Sequence, residues 1–239
     1  MKGLLAALVL AQIGYPLTSG DARARLTVAV VVLGFAFSVA HAWATRGPRT
    51  AAWLVAVTAG GGYAVEALGV ATGFPFGAYA YSGALGPKLA GVPLVIPLAW
   101  TWMAWPAWLA ALRVARRTVS RVALGAVGLA AWDLFLDPQM VAEGYWTWSD
   151  PHPALPGVPD VPIGNYLGWL AVALLMMIAL QAVAPSKARD GPSHTLYLWT
   201  YASSVLAHAA FLGLPASAGW GAAGMGVLAI PLAVSLWRR

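Results

Sequence analysis

Apolar runs of about one bilayer's thickness follow one another along the chain, each set off from the next by proline, glycine or charge. They cover roughly residues 3–19, 26–45, 51–71, 93–112, 120–137, 163–184, 195–213 and 219–237. About 20 apolar residues in a helix cross a hydrocarbon core once. The pattern therefore predicts an all-α bundle of eight transmembrane helices, or seven if one terminal run stays outside the membrane. The runs are continuously apolar, without the alternation of barrel strands, which favours helices. No internal repeat or soluble segment interrupts them, so residues 1–239 read as one polytopic domain. No small-residue cleavage site follows "MKGLLAALVLAQIG", and this first run reads as a helix rather than a leader.

Composition sharpens that reading. The chain is 60% hydrophobic and only 9% charged, whereas soluble domains carry about 25% charged residues. The net charge of +6 is explained by its placement. With eight spans, Lys2, Arg46, Arg49, Arg113, Arg116, Arg117, Arg121, Lys187, Arg189, Arg238 and Arg239 share one side. Arg23, Arg25 and Lys88 take the other. This skew follows the positive-inside rule, puts both termini in the cytoplasm of a multi-pass plasma (inner) membrane protein, and argues against a nucleic-acid partner.

Residue supply removes several chemistries. Cysteine is absent, which excludes disulfides, thiolate metal sites and a cysteine nucleophile. All three lysines fall outside the spans, so none is placed to form an intramembrane Schiff base. Neither a GxSxG elbow nor a Walker-type phosphate loop occurs. His41 and His208 fall in different spans and His152 and His194 in loops, with no HxxxH or HExxH pairing, so no metal site is expected.

The acids are the exception to this apolar pattern. "WDLFLDPQM", residues 132–140, places Asp133 and Asp137 four apart on one helix face near the outer end of the fifth span. Pro138, which cannot continue a helix normally, is expected to end that face. Glu66 lies near the same end of the third span. Burial and mutual repulsion both disfavour ionised carboxyls, so at least one is expected to hold a proton at neutral pH. The flanking connections, "TGFPFGAYAYSGALGPKLAGVPLVIPLAWTWMAWPAW" and "EGYWTWSDPHPALPGVPDVPIGNYLGW", are rich in proline, glycine and aromatics, as suits ordered loops lining a cavity. Interfacial belts also collect such aromatics. Tyr79, Tyr81, Trp100, Trp146, Trp148, Asn165 and Tyr166 are expected to gather around the acids, and His208 to approach them. Aromatic faces stabilise cations, and Asn165 is suited to holding a water or a carboxyl group.

Together, "GFPFGAYAYSGALGPKLAGVPLVIPLAW", "WDLFLDPQM", "YWTW" and "VPIGNYLGW" resemble the membrane carotenoid biosynthesis family that includes carotenoid 1,2-hydratases and bisanhydrobacterioruberin hydratases. The similarity covers about residues 60 to 170. It implies addition of water to the terminal C1–C2 double bond of an acyclic carotenoid end, giving a tertiary alcohol without a cofactor. The family's acidic positions fall on Glu66, Asp133 and Asp137, and its Asn-aromatic-Gly-Trp motif on Asn165 to Trp169. The implied partners are water, membrane lipid and a lipophilic carotenoid entering from the bilayer. Three rivals stay open: a lycopene-type cyclase using the same protonation, a carotenoid-binding protein, and a proton-coupled transporter.

Overall fold

The computed structural model describes residues 1–182 and 189–238, so Val183, Ala184, Lys187 and Arg239, which belong to the predicted sixth span and the basic side, lie outside the described residues. The fold is mostly helical: α1 Lys2–Gly14, α2 Gly20–Arg46, α3 Pro48–Val55, α4 Gly61–Thr72, α5 Ile96–Val114, α6 Thr118–Ala130, α7 Asp133–Ala142, α8 Ile163–Leu180, α9 Gly191–Ala210 and α10 Pro215–Trp237. A π turn, Ala56–Gly60, joins α3 to α4 into one rod, and a tight turn at Ala131–Trp132 joins α6 to α7.

Among the described residues, five rods are long and apolar enough to cross a membrane: Gly20–Arg46, Pro48–Thr72, Thr118–Ala142, Ile163–Leu180 and Pro215–Trp237. The remaining three predicted spans are helical too. However, α1 with its following turn is short, while the tryptophans and prolines of α5 and the serines, histidines and threonines of α9 lower their mean hydropathy. Helix α5 compensates by burial, since almost its whole length from Pro97 to Ala111 is enclosed by neighbours. It is the central post of the bundle.

The two ends of the bundle differ. At one end Arg46 makes a bidentate pair with Asp190, with both N···O distances 2.8 Å. Its guanidinium lies over the Trp105 ring, whose Nε1 donates to His41 Nδ1 at 3.0 Å. At the other end Arg23 pairs with Glu143, and the long connections fold back as short antiparallel ladders. β1 (Tyr79–Tyr81) pairs with β4 (Trp146–Trp148), β2 (Lys88–Leu89) with β3 (Val92–Pro93), and β5 (Ala154–Leu155) with β6 (Val158–Pro162). The first ladder sets Tyr79 opposite Trp148 and Tyr81 opposite Trp146. Since side chains alternate across a strand, these four aromatics face the bundle while Ala80 and Thr147 are exposed.

The expected stop at Pro138 is corrected by the structure. The helix break lies upstream of Asp133, and α7 runs through Pro138 to Ala142. A proline inside a helix leaves the carbonyl four residues earlier without its N–H donor. That carbonyl, of Leu134, instead accepts Ser217 Oγ from α10 at 2.7 Å, so a neighbouring helix supplies the missing bond.

Replacing Ser217 by Ala is expected to lower the stability of detergent-solubilised protein by about 1–3 kcal/mol, the cost of a buried unpaired polar group. Ser217→Thr should restore most of it. Thermal unfolding followed by circular dichroism gives the comparison.

Candidate active site

Glu66 is buried on the one face of α4 that turns inward, between Gly62 and Gly69. These glycines let aromatic rings reach the helix: a Cβ on Gly62 would meet Trp100 at 2.7 Å, and one on Gly69 would meet Tyr79 Oη at 2.8 Å. Three neutral donors close on the carboxyl group. Tyr79 and Tyr81 donate to Oε2 at 2.6 and 2.8 Å, and Trp100 Nε1 donates to Oε1 at 3.1 Å. Gly73 ends the helix in the left-handed conformation, φ 77°, and turns the chain toward the tyrosine strand.

Asp133 and Asp137 form a second acidic group. Asp133 is fully buried and Asp137 is 3% exposed. The Asn165 side-chain amide donates to Oδ2 of both, at 2.8 Å to Asp133, and Trp146 Nε1 donates to Asp137 Oδ1 at 3.0 Å. The two carboxyl groups also lie within hydrogen-bonding reach of each other. Asp133 Oδ1 and Tyr166 Oη are buried without a donor or acceptor of their own. Among the described residues no ion pair involves Glu66, Asp133 or Asp137, and no group of three histidine or acidic side chains is arranged to hold a metal.

A cavity of about 50 Å³ joins the two acidic groups. Glu66, Tyr79, Tyr81, Asp137, Asn165 and Trp146 line it, whereas Asp133 stands behind Asp137. Its apolar wall contains Trp169, the last position of the motif that the family resemblance marks from Asn165, and Phe76, which was not singled out from the sequence. The Trp169 ring stacks on Trp100 at 3.8 Å and 14°. Trp169 lies one helical turn after Asn165, so the i, i+4 rule would have placed it on the same face. Phe76 shares the "GFPFGAYAY" stretch, and its carbonyl accepts Trp148 Nε1 at 2.8 Å.

His208 is not brought to this cavity. Its Nδ1 meets Ser217 Oγ at 2.9 Å and its Nε2 meets Gln139 Oε1 at 3.0 Å, with the Phe135 ring set edge-on. Sequence position gave its depth in the span but not the direction it faces. Gln139, on the far side of α7 from Asp137, holds it there.

The chain matches the carotenoid biosynthesis protein family over residues 26–237. It is also similar to bisanhydrobacterioruberin hydratase of Haloarcula japonica, 37% identical over 123 residues that make up 48% of this chain and 40% of that relative. The similarity thus spans less than half the relative's length. No solved structure matches the chain.

Burial, and then the neighbouring Glu66 charge, hold the Tyr79 and Tyr81 hydroxyls well above the ordinary tyrosine pKa of 10.0. Their contribution to stability is accordingly complete below about pH 10 and is lost as pH climbs beyond it, where the unfolded chain ionises first. Stability measured between pH 8 and 11 should therefore fall more steeply for the wild type than for a Tyr79→Phe, Tyr81→Phe double variant. An ultraviolet phenolate titration should find these two hydroxyls silent until unfolding.

Proposed function

We propose that this chain, which belongs to the carotenoid biosynthesis protein family, is a hydratase that adds water across the terminal C1–C2 double bond of an acyclic carotenoid end by acid catalysis. The observation that carries the reading is the Asp133–Asp137 pair, bridged by one amide and facing, through Asp137, an aromatic cavity that Glu66 closes from the other side. The hydratase name of the Haloarcula japonica relative supports the same reaction class.

Two buried carboxyls that share one neutral amide and face no cation among the described residues are costly to ionise together. The pair holds one proton. Glu66, whose two oxygens accept from three neutral donors, is the site's standing negative charge.

The reaction then balances without a cofactor. The terminal alkene's π electrons take the shared proton through Asp137, forming a C–H bond at the less substituted carbon and leaving a tertiary cation. The Glu66 charge and the faces of Trp100 and Trp169 stabilise that cation. A water held by Asn165 and Asp137 attacks it, forming the C–O bond. The proton released from that water returns to the aspartate pair, which is ready for the next turnover.

The topology follows from the same reading. Eight spans cross a plasma membrane, with the Arg46–Asp190 end and both termini in the cytoplasm and the laddered end outside. The polyene enters laterally from the bilayer, as apolar as the lipid it leaves.

Expression in bacteria that make lycopene and its elongated relatives tests this, with pigment masses read after chromatography. A product heavier by one water is expected, whereas an isomer of unchanged mass would indicate cyclisation. Asp133→Asn and Asp137→Asn, checked for correct insertion, should each lose about 100-fold or more, the contribution of a positioned general acid. Undiminished hydration in both would return the pair to a structural role.

A further inference from the structure

A second cavity, about 100 Å³, lies on the other side of α7 from the acidic site, among Gln12, Tyr15, Trp102, Gln139, Thr200 and Ser203. Four side chains, Thr27, Val31, Leu136 and Met140, line both cavities and form the partition between them. The lining of the second is unusual for an apolar bundle, because three of its residues carry a buried polar atom without a partner: Tyr15 Oη, Trp102 Nε1 and Thr200 Oγ1. Tyr15 is only 7% exposed and Thr200 only 1%. Tyr15 Oη approaches Gln139 without closing a hydrogen bond. Tyr145 Oη, which lines neither cavity, likewise stands near the partition residue Thr27 without a closed bond.

Buried polar atoms are costly to leave unsatisfied. A space lined by residues that carry several of them, and by the polar residues Gln12, Gln139 and Ser203, larger than the roughly 30 Å³ a water occupies in the liquid, is suited to ordered water rather than to an alkyl chain. We infer that this cavity is the water store of the hydration reaction, feeding the acidic site across the Thr27–Met140 partition while the polyene occupies the aromatic side. The inference rests on the hydratase reading and adds to it a separate place for the second substrate. It also explains why the polar lining continues past α7, on the side away from Asp137.

The division of labour predicts a particular failure. Protonation of the alkene depends on the aspartates, whereas capture of the cation depends on water delivery. When water is scarce the cation loses a neighbouring C–H proton to the aspartate pair and returns as an alkene. In D₂O such a return leaves deuterium in the recovered carotenoid, because the shared proton exchanges with solvent between turnovers.

The test uses the full chain in membranes suspended in D₂O, with an acyclic carotenoid as substrate and mass spectrometry of both alcohol and recovered alkene. Thr200→Val and Tyr15→Phe remove the lone hydroxyls, and Ala207→Phe fills the cavity from α9. Correctly inserted variants are expected to lose about fivefold or more of the alcohol, roughly the effect of one hydrogen bond. Deuterium incorporation into recovered alkene should meanwhile hold within about twofold of the wild type or rise, as the cation partitions toward return. Alcohol and deuterium falling together in all three variants, or wild-type alcohol yields in all three, would overturn the water store. A wild-type protein that gives neither alcohol nor deuterated alkene would overturn the hydratase reading itself and this inference with it.

Discussion

Three carboxyl groups buried in an apolar bundle with no paired cation among the described residues are the constraint around which the rest is arranged. Each ionised or hydrogen-bonded oxygen has to be met by neutral donors, and in this composition those donors are indole, phenol and amide groups. The site therefore consists largely of aromatics that serve twice, with an N–H or O–H for an acid and a ring face for the cavity. Tyr79, Tyr81 and Trp100 do this for Glu66, and Trp146 for Asp137. The small residues follow from the same demand, since Gly62 and Gly69 clear the space that Trp100 and Tyr79 fill.

A similar economy governs the backbone. Carrying Asp133 and Asp137 inward near a proline costs α7 one internal hydrogen bond, and Ser217 of α10 makes it good. That serine also receives His208, so α7, α9 and α10 are tied at one point behind the acids. At the opposite end Arg46, Asp190 and Trp105 anchor α2 and α5 to the start of α9. Both ends are fixed by polar contacts because apolar packing alone distinguishes poorly between helix rotations in a membrane.

How much was legible in the sequence follows from what one-dimensional patterns contain. Apolar run length located the helical rods, and the rarity of charge made Glu66, Asp133 and Asp137 conspicuous. The aromatic loops were visible as composition, and the four-residue spacing placed the aspartates on one face. Rotation about the helix axis was not legible where every face is apolar, which is why His208 could be assigned a depth but not a direction. Nor did proline reveal that its helix would continue, because the rescuing hydroxyl lies 79 positions away in sequence, on another helix. Phe76 was hidden among many equivalent aromatics until the cavity singled it out, and Trp169, marked by the resemblance alone, acquired a direction only from its stack on Trp100.

The β1–β4 ladder has a consequence for assembly order. Its strands are separated by the whole of α5, α6 and α7, so it cannot close until those helices have been threaded and packed. Non-local pairings of this kind form late, because their loop-closure entropy is met only once the intervening chain is ordered. Tyr79 and Tyr81 reach Glu66 from that ladder, and Trp146 reaches Asp137 from it. During synthesis the acids are thus installed before most of their donors arrive, and the nascent bundle is chemically incomplete until its last loops zip together.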